Sequence, residues 1–198
     1  MFPLFETIRI EEGEPKHLEW HQARVDASYH RYFKRAGAPR LAEVIRVPEK
    51  DRKGRVKCRF LYKRTAWSTE FSKYVPREVR SLKLVEGNHL EYSMKYTDRF
   101  SLDQLFEKRG KCDGVLIVKN GRITDTSFTN IVLFNGEKWI TPLYPLLEGT
   151  ARNRLIKAGR IVEGDIRLED LQYYRSFRLI NAMREFDQQE LVPVEQIR

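Results

Sequence analysis

The sequence predicts an α+β protein with an antiparallel sheet in its N-terminal half and a second, strand-rich half behind it. Two observations carry this. Runs with period-two alternation and many β-branched or aromatic residues recur along the whole chain, and helical periodicity is confined to a few stretches between them. The length, 198 residues, suits one large domain or two small ones with a real core.

Phe5-Glu6-Thr7-Ile8-Arg9-Ile10 alternates and reads as the first strand. Glu11 to Pro15 is a turn, and Lys16 to Trp20 is expected to return as the second strand of a hairpin. From His21 to about Phe33 the pattern turns helical, and Gly37 and Pro39 end it. Arg55 to Tyr62, Thr69 to Val75 and Ser81 to Val85 read as strands. Leu90 to Tyr96 is expected to be another, with Leu90, Tyr92 and Met94 on one face and Ser93 and Lys95 on the other. A helix follows from Asp98 to Arg109, stopped by Gly110. Asn120-Gly121 between apolar runs predicts a tight hairpin over 114–125, and Asn135-Gly136 predicts another over 131–141. Gly149-Thr150 opens a helix. Ile161 to Ile166 is a short strand, Leu168 to Tyr174 a short helix, and Phe177 to Asn181 a strand ending in a turn.

Composition narrows the function classes. Hydrophobic residues at 41% and charged residues at 33% fit a globular chain rather than a disordered one. No apolar run approaches the ~20 residues of a membrane span, and the start lacks the pattern of a signal peptide. Cys58 and Cys112 lie far apart and outside any Cys/His cluster. Neither a metal site nor a disulfide framework is expected, and reduced thiols fit a cytoplasmic setting. The net charge of +9 is scattered along the chain rather than gathered in one stripe. It argues for anionic small molecules before nucleic acid.

Three places could carry chemistry. Lys95 ends an apolar-faced run; a desolvated lysine can form a Schiff base, although from periodicity alone this one reads as a solvent-facing strand residue. Asp125 precedes Thr126-Ser127-Phe128-Thr129-Asn130, a turn whose backbone N–H groups can meet an anion but which also reads as an ordinary polar loop. Gly149-Thr150 at a helix start offers free N–H groups to a phosphate, or a structural cap.

These places fall into a recognisable order. Lys95-Tyr96-Thr97-Asp98-Arg99, Asp113 to Ile117, Ile123 to Ile131, Thr141-Pro142 and Leu146 to Arg152 together resemble the core of class IV pyridoxal 5′-phosphate (PLP) enzymes. That family includes D-amino-acid and branched-chain aminotransferases and 4-amino-4-deoxychorismate lyase. Phe5 to Arg9 and His21-Gln22-Ala23-Arg24 resemble its Glu-Thr strand and His-x-x-Arg helix start, so the likeness spans nearly the whole chain. The resemblance implies a D-amino-acid-aminotransferase-like fold. An N-terminal α/β sandwich-like unit would cover residues 1–90, and a C-terminal antiparallel pseudo-barrel with helices residues 91–198, with PLP between them.

It also implies roles. Lys95 would bind the cofactor as a Schiff base and move the substrate proton, with Thr7 beside it in catalysis. Asp125, where the family usually has Glu, would pair with the pyridine nitrogen and keep it protonated. Arg24 would hold the phosphate. Gly149, Thr150, Asn181 and Ala182 would complete that seat, Thr126 and Ser127 would flank the cofactor, and Arg9 would meet a substrate carboxylate. Leu179 to Met183 is similar to the Asn-Ala-Leu/Met segment of the lyases. The expected activity is therefore aminodeoxychorismate lyase, forming 4-aminobenzoate and pyruvate for folate synthesis. A class IV aminotransferase acting on D- or branched-chain amino acids with a 2-oxo acid is the alternative, and a non-catalytic binding protein on the same fold is a further one. The family also implies a homodimer, with no nucleic-acid or membrane partner. Its members carry a Gly-Asp-Gly segment before the Glu-Thr strand, whereas this sequence begins almost at the strand. One wall of the site is thus expected to be absent or supplied differently.

Overall fold

The computed structural model describes residues 1–198, which divide into two compact units. The first is Met1–Pro76 with Met94–Asp98; the second is Arg77–Ser93 with Arg99–Arg198. The expected single boundary at residue 90 differs from this in two ways: Arg77 to Leu90 belong to the second unit, and five residues of the later sequence, Lys95 among them, belong to the first.

In the first unit, β1 (Leu4–Glu11), β2 (Glu14–Pro15), β3 (Arg55–Lys63) and β4 (Ala66–Lys73) form an antiparallel sheet in the order β2-β1-β3-β4. Helix α1 (Leu18–Arg31) and the short α2 (Leu41–Val44) contribute to its core. Alternation decides which residues enter that core: Leu4, Ile8 and Ile10 from β1, and Val56, Cys58, Phe60 and Tyr62 from β3, with Val25 and Tyr29 of α1. The second hairpin strand is only two residues long, and α1 starts three residues earlier than expected. His17, at φ 55°, turns the backbone off the sheet, and Leu18 packs on the core as the first helical residue.

In the second unit, β5 (Leu82–Glu86), α3 (Phe100–Glu107), β6 (Gly114–Lys119), β7 (Arg122–Thr126), β8 (Asn130–Phe134), β9 (Trp139–Pro142), α4 (Thr150–Lys157), β10 (Val162–Gly164), β11 (Ser176–Ile180) and β12 (Val192–Pro193) follow in order. The sheet path is β10-β9-β8-β7-β6-β5, and β11 joins β8 and β12. The sheet is mixed rather than purely antiparallel, because β5–β6 and β9–β10 pair in parallel. Leu168–Tyr173 is a 3₁₀ turn. Asn120 and Gly121 both take positive φ, 52° and 74°, and close the β6–β7 hairpin as a two-residue type I′ turn. The second predicted hairpin closes more loosely, since Asn135 donates its N–H to Lys138 O across a four-residue loop. One edge of β8 runs the full length of β11. Its other edge is shared, Asn130 pairing with Asp125 of β7 while Leu133 and Phe134 pair with β9. β7 and β9 therefore diverge where Asp125 lies. No helix is long and apolar enough to cross a membrane.

The expected strand over 90–96 is absent. Burial alternates there, Leu90 and Tyr92 inside and Glu91 and Ser93 outside, but no neighbouring strand supplies a ladder. Only the end of the segment finds one, on β1: Phe5 N–H donates to Lys95 O at 3.0 Å, Leu4 bridges Tyr96, and Thr97 N–H donates to Pro3 O.

Candidate active site

The expected site residues fall into two clusters, one in each unit. The first is built on β1. Alternation sends Phe5, Thr7 and Arg9 to one face and Glu6 to the other, among Leu4, Ile8 and Ile10. A carboxylate cannot stay there unpaired. Helix α1 supplies the partners from residues 21 and 24, which share one helix face. His21 Nδ1 lies 2.6 Å from one Glu6 oxygen, and Arg24 donates from Nε at 2.8 Å and from its terminal nitrogen at 2.5 Å.

Burial pushes the Glu6 carboxyl up, but the Arg24 charge and the hydrogen bonds from His21 and Arg24 outweigh it and bring the group down to about 2. Burial lowers the His21 value, against the pull of Glu6. The ring is then neutral near pH 7, and its Nδ1 proton faces Glu6. Lys95 joins this cluster: its Nζ is 4.7 Å from the centre of the Phe5 ring, and its charge is felt at His21. Thr7 is half-buried and Arg9 buried on the Phe5 face. Four expected site residues, Lys95, Thr7, Arg9 and Arg24, are thus gathered in the first unit. The sequence motifs assign no role to Glu6 or His21. The readable signal was an acid on the apolar face of an alternating strand, with a helix ready to answer it.

The second cluster surrounds Asp125. It is buried, accepting from Asn130 Nδ2 at 2.8 Å and from Leu147 N–H at 3.0 Å. Burial drives its carboxyl up to about 6, against these hydrogen bonds and the more distant Arg152 charge. Asn130 also donates to Leu147 O, tying the strand to the segment before α4. Gly149 is the residue preceding that helix, and a Cβ there would stand 1.9 Å from Asn130 Oδ1. Thr150 is the first helical residue and Gly149 holds the N-cap position, so Thr150 is not the N-cap of the helix.

The Thr126–Thr129 turn is largely self-satisfied. Thr126 N–H meets Thr129 O, and the N–H groups of Phe128 and Thr129 meet Thr126 Oγ1. Those three groups are not available to an anion. The Ser127 carbonyl accepts from Arg99 at 2.6 Å. Asn181 takes the Met183 N–H on its oxygen and reaches Phe128 O with its amide, and Ala182 lies in the turn between Asn181 and Arg184.

This donor chemistry fits PLP. The lysine, the guanidinium and the buried carboxylate that the cofactor needs are all present. Asp125 is hydrogen-bonded only by neutral amides, so a cationic ring N–H would supply the charge its burial lacks.

Residues 3–197 match the family described as amino-transferase class IV. An uncharacterized protein of Haemophilus influenzae is 36% identical over 185 residues, which are 92% of this chain and 98% of that protein. A crystal structure from Haemophilus somnus, of a protein provisionally described as a 4-amino-4-deoxychorismate lyase, is also 36% identical. It superposes with a TM-score of 0.86 over 92% of this chain and 97% of its own. A Mycobacterium tuberculosis aminotransferase, described as hypothetical and solved with α-ketoglutarate and PMP bound, shares the fold at 19% identity and a TM-score of 0.78 over 96% of this chain and 80% of its own. The chain therefore belongs to the class IV aminotransferase family, whose cofactor is pyridoxal 5′-phosphate.

Proposed function

We propose that this protein is an aminodeoxychorismate lyase, releasing pyruvate and 4-aminobenzoate for folate synthesis. The observation that carries the reading is the 36% identity, over nearly the full length of both chains, to a structure provisionally described as that lyase. The Leu179 to Met183 segment, similar to that of the lyases, supports it. In this reading Lys95 holds the cofactor and takes the ring proton of the substrate. Thr7 orients the substrate beside it, and Arg9 meets a carboxylate. Arg24, fixed by its two hydrogen bonds to Glu6, holds the cofactor phosphate with Gly149, Thr150, Asn181 and Ala182. Thr126 and Ser127 flank the cofactor, and Asp125 pairs with its ring nitrogen. The cofactor supplies the electron sink when bound. We assign the protein to the cytoplasm as a homodimer.

A class IV aminotransferase acting on D- or branched-chain amino acids is the second reading, favoured by the fold shared with a protein solved with α-ketoglutarate. One experiment separates the two. The PLP-loaded protein is given aminodeoxychorismate and assayed for 4-aminobenzoate and pyruvate. It is then given D-alanine or a branched-chain amino acid with 2-oxoglutarate. Formation of 4-aminobenzoate supports the lyase; 2-oxo acid turnover without it removes that reading.

A further inference from the structure

The face of the first unit's sheet that carries Phe5, Thr7 and Arg9 is unusually rich in cations. The register sets Arg59 of β3 beside Thr7 and Lys57 beside Arg9, so the side chains of all four residues leave the sheet on one side. Arg55 follows beside Glu11. The Phe5 ring carries two of the charges, the Arg59 guanidinium 4.9 Å from its centre and Lys95 Nζ 4.7 Å from it. Six basic residues, Arg9, Arg55, Lys57, Arg59, Lys63 and Lys95, thus share this face with three carboxylates, Glu11, Glu14 and Glu70. Glu11 stands 3.6 Å from Arg9 and accepts from Arg55 at 3.2 Å, and Glu70 stands 3.5 Å from Arg59 and is more than half exposed. Like charges held this close repel each other, and a bound anion relieves that repulsion.

We propose that Arg59 and Lys57 complete a dianion cradle with Arg9, in which Arg9 and Lys57 take one substrate carboxylate and Arg59 takes the other. The cradle would then select dicarboxylates over monocarboxylates. Diagonal neighbours on adjacent strands stand about 7–8 Å apart at Cα, a span that flexible basic side chains can adjust to two carboxylates on one small skeleton. Arg59 also shares the Phe5 ring with Lys95, which sets the second carboxylate near the reacting amine. The assignment rests on the lyase reading only for the identity of the dianion.

The test uses chorismate, which has both carboxylates of aminodeoxychorismate but a hydroxyl in place of the amine that would react. Its binding to the PLP-loaded protein is measured by calorimetry, with benzoate as the monoanion. Wild type is expected to bind chorismate at least about tenfold more tightly than benzoate, and Arg59→Gln to lose about 10- to 100-fold of the chorismate affinity, the range for one charge-assisted contact. Benzoate binding and the cofactor absorbance of Arg59→Gln should stay as in wild type, which excludes misfolding. Arg59→Lys should recover part of the loss, as a point charge without the planar fork. Chorismate binding by Arg59→Gln within about twofold of wild type, or no chorismate binding by wild type, overturns the cradle. The lyase reading fails separately. Arg59-dependent chorismate binding in a protein that releases no 4-aminobenzoate keeps the cradle and removes the lyase, whereas 4-aminobenzoate formation with a KM indifferent to Arg59 removes the cradle and keeps the lyase.

Discussion

Replacing Glu6 by Gln tests the buried network under α1. The substitution keeps the shape of the side chain but removes its charge and turns an NH₂ toward the donors of Arg24 or His21. The ordinary carboxyl value of 4.5 and the folded value of about 2 are separated by an amount worth about 3 kcal/mol, at about 1.4 kcal/mol per pH unit. Glu6 is fully buried, so solvent screening does not reduce this figure. Loss of one partner from a buried ion pair falls in the same range, about 3–5 kcal/mol. Because the folded value lies below the unfolded one, the contribution is complete above pH 4.5 and disappears as pH falls through about 2. Urea unfolding of wild type and variant should differ by about 3 kcal/mol at pH 7 and by about 1.4 kcal/mol at pH 3. The thermal midpoint at pH 7 should fall by about 6–12 °C. A difference below about 1 kcal/mol at pH 7, or one that stays constant between pH 3 and 7, would refute the argument.

Other perturbations reach the chemistry more directly. Lys95→Ala should bind PLP yet lose the imine absorbance of the wild type; an unchanged spectrum moves the attachment to another lysine. Asp125→Asn should keep that absorbance and lose about 100-fold or more in kcat, the cost of removing one preorganised electrostatic partner; full activity would show that the ring nitrogen needs no carboxylate here. Asp125 also gives a pH signature. With a folded value near 6 against an ordinary 3.8, the folded state keeps a proton that the unfolded chain has lost, so its carboxyl reduces stability as pH rises through that window. Urea midpoints of the unloaded protein should show this slope, and PLP loading or Asp125→Asn should flatten it; equal slopes in all three would reject the assignment. Gly149→Ala places a methyl against Asn130 Oδ1 and should weaken PLP binding by about tenfold or more as the Asn130–Asp125 contact is displaced; equilibrium titration with PLP decides it.

The parts of this protein that were legible in its sequence are those fixed locally. Asn120-Gly121 dictates its turn because few other pairs tolerate positive φ at both positions. The alternation of β1 and β3 identifies the core faces without any tertiary information. Pairing direction is different, because a buried strand reads the same in a parallel or an antiparallel ladder, and β5–β6 and β9–β10 were missed for that reason. The 90–96 segment shows the limit most plainly: Leu90 and Tyr92 are buried as the pattern required, yet a strand needs a neighbour as well as a face. The ordered motifs single out Lys95, Arg24 and Asp125 as candidates, but not the partners that set their electrostatics. Glu6 is understood only once α1 is laid over it, and the hydroxyls of the 126–129 turn are spent on their own backbone.

The excursion of residues 94–98 into the first unit bears on how the chain acquires its native state. The first 76 residues leave the ribosome with the N-terminal end of one β1 edge uncovered, since β2 pairs only Ile10 and Glu11 there, and the piece that covers it arrives only after a stretch committed to the other unit. Closure over some ninety residues is a slow kind of step, and until it happens the bare flank is open to pairing with another chain. If Lys95 holds the cofactor as proposed, its anchoring would then be a late event in biogenesis, because the Lys95 amine reaches its native surroundings only when that stitch is drawn.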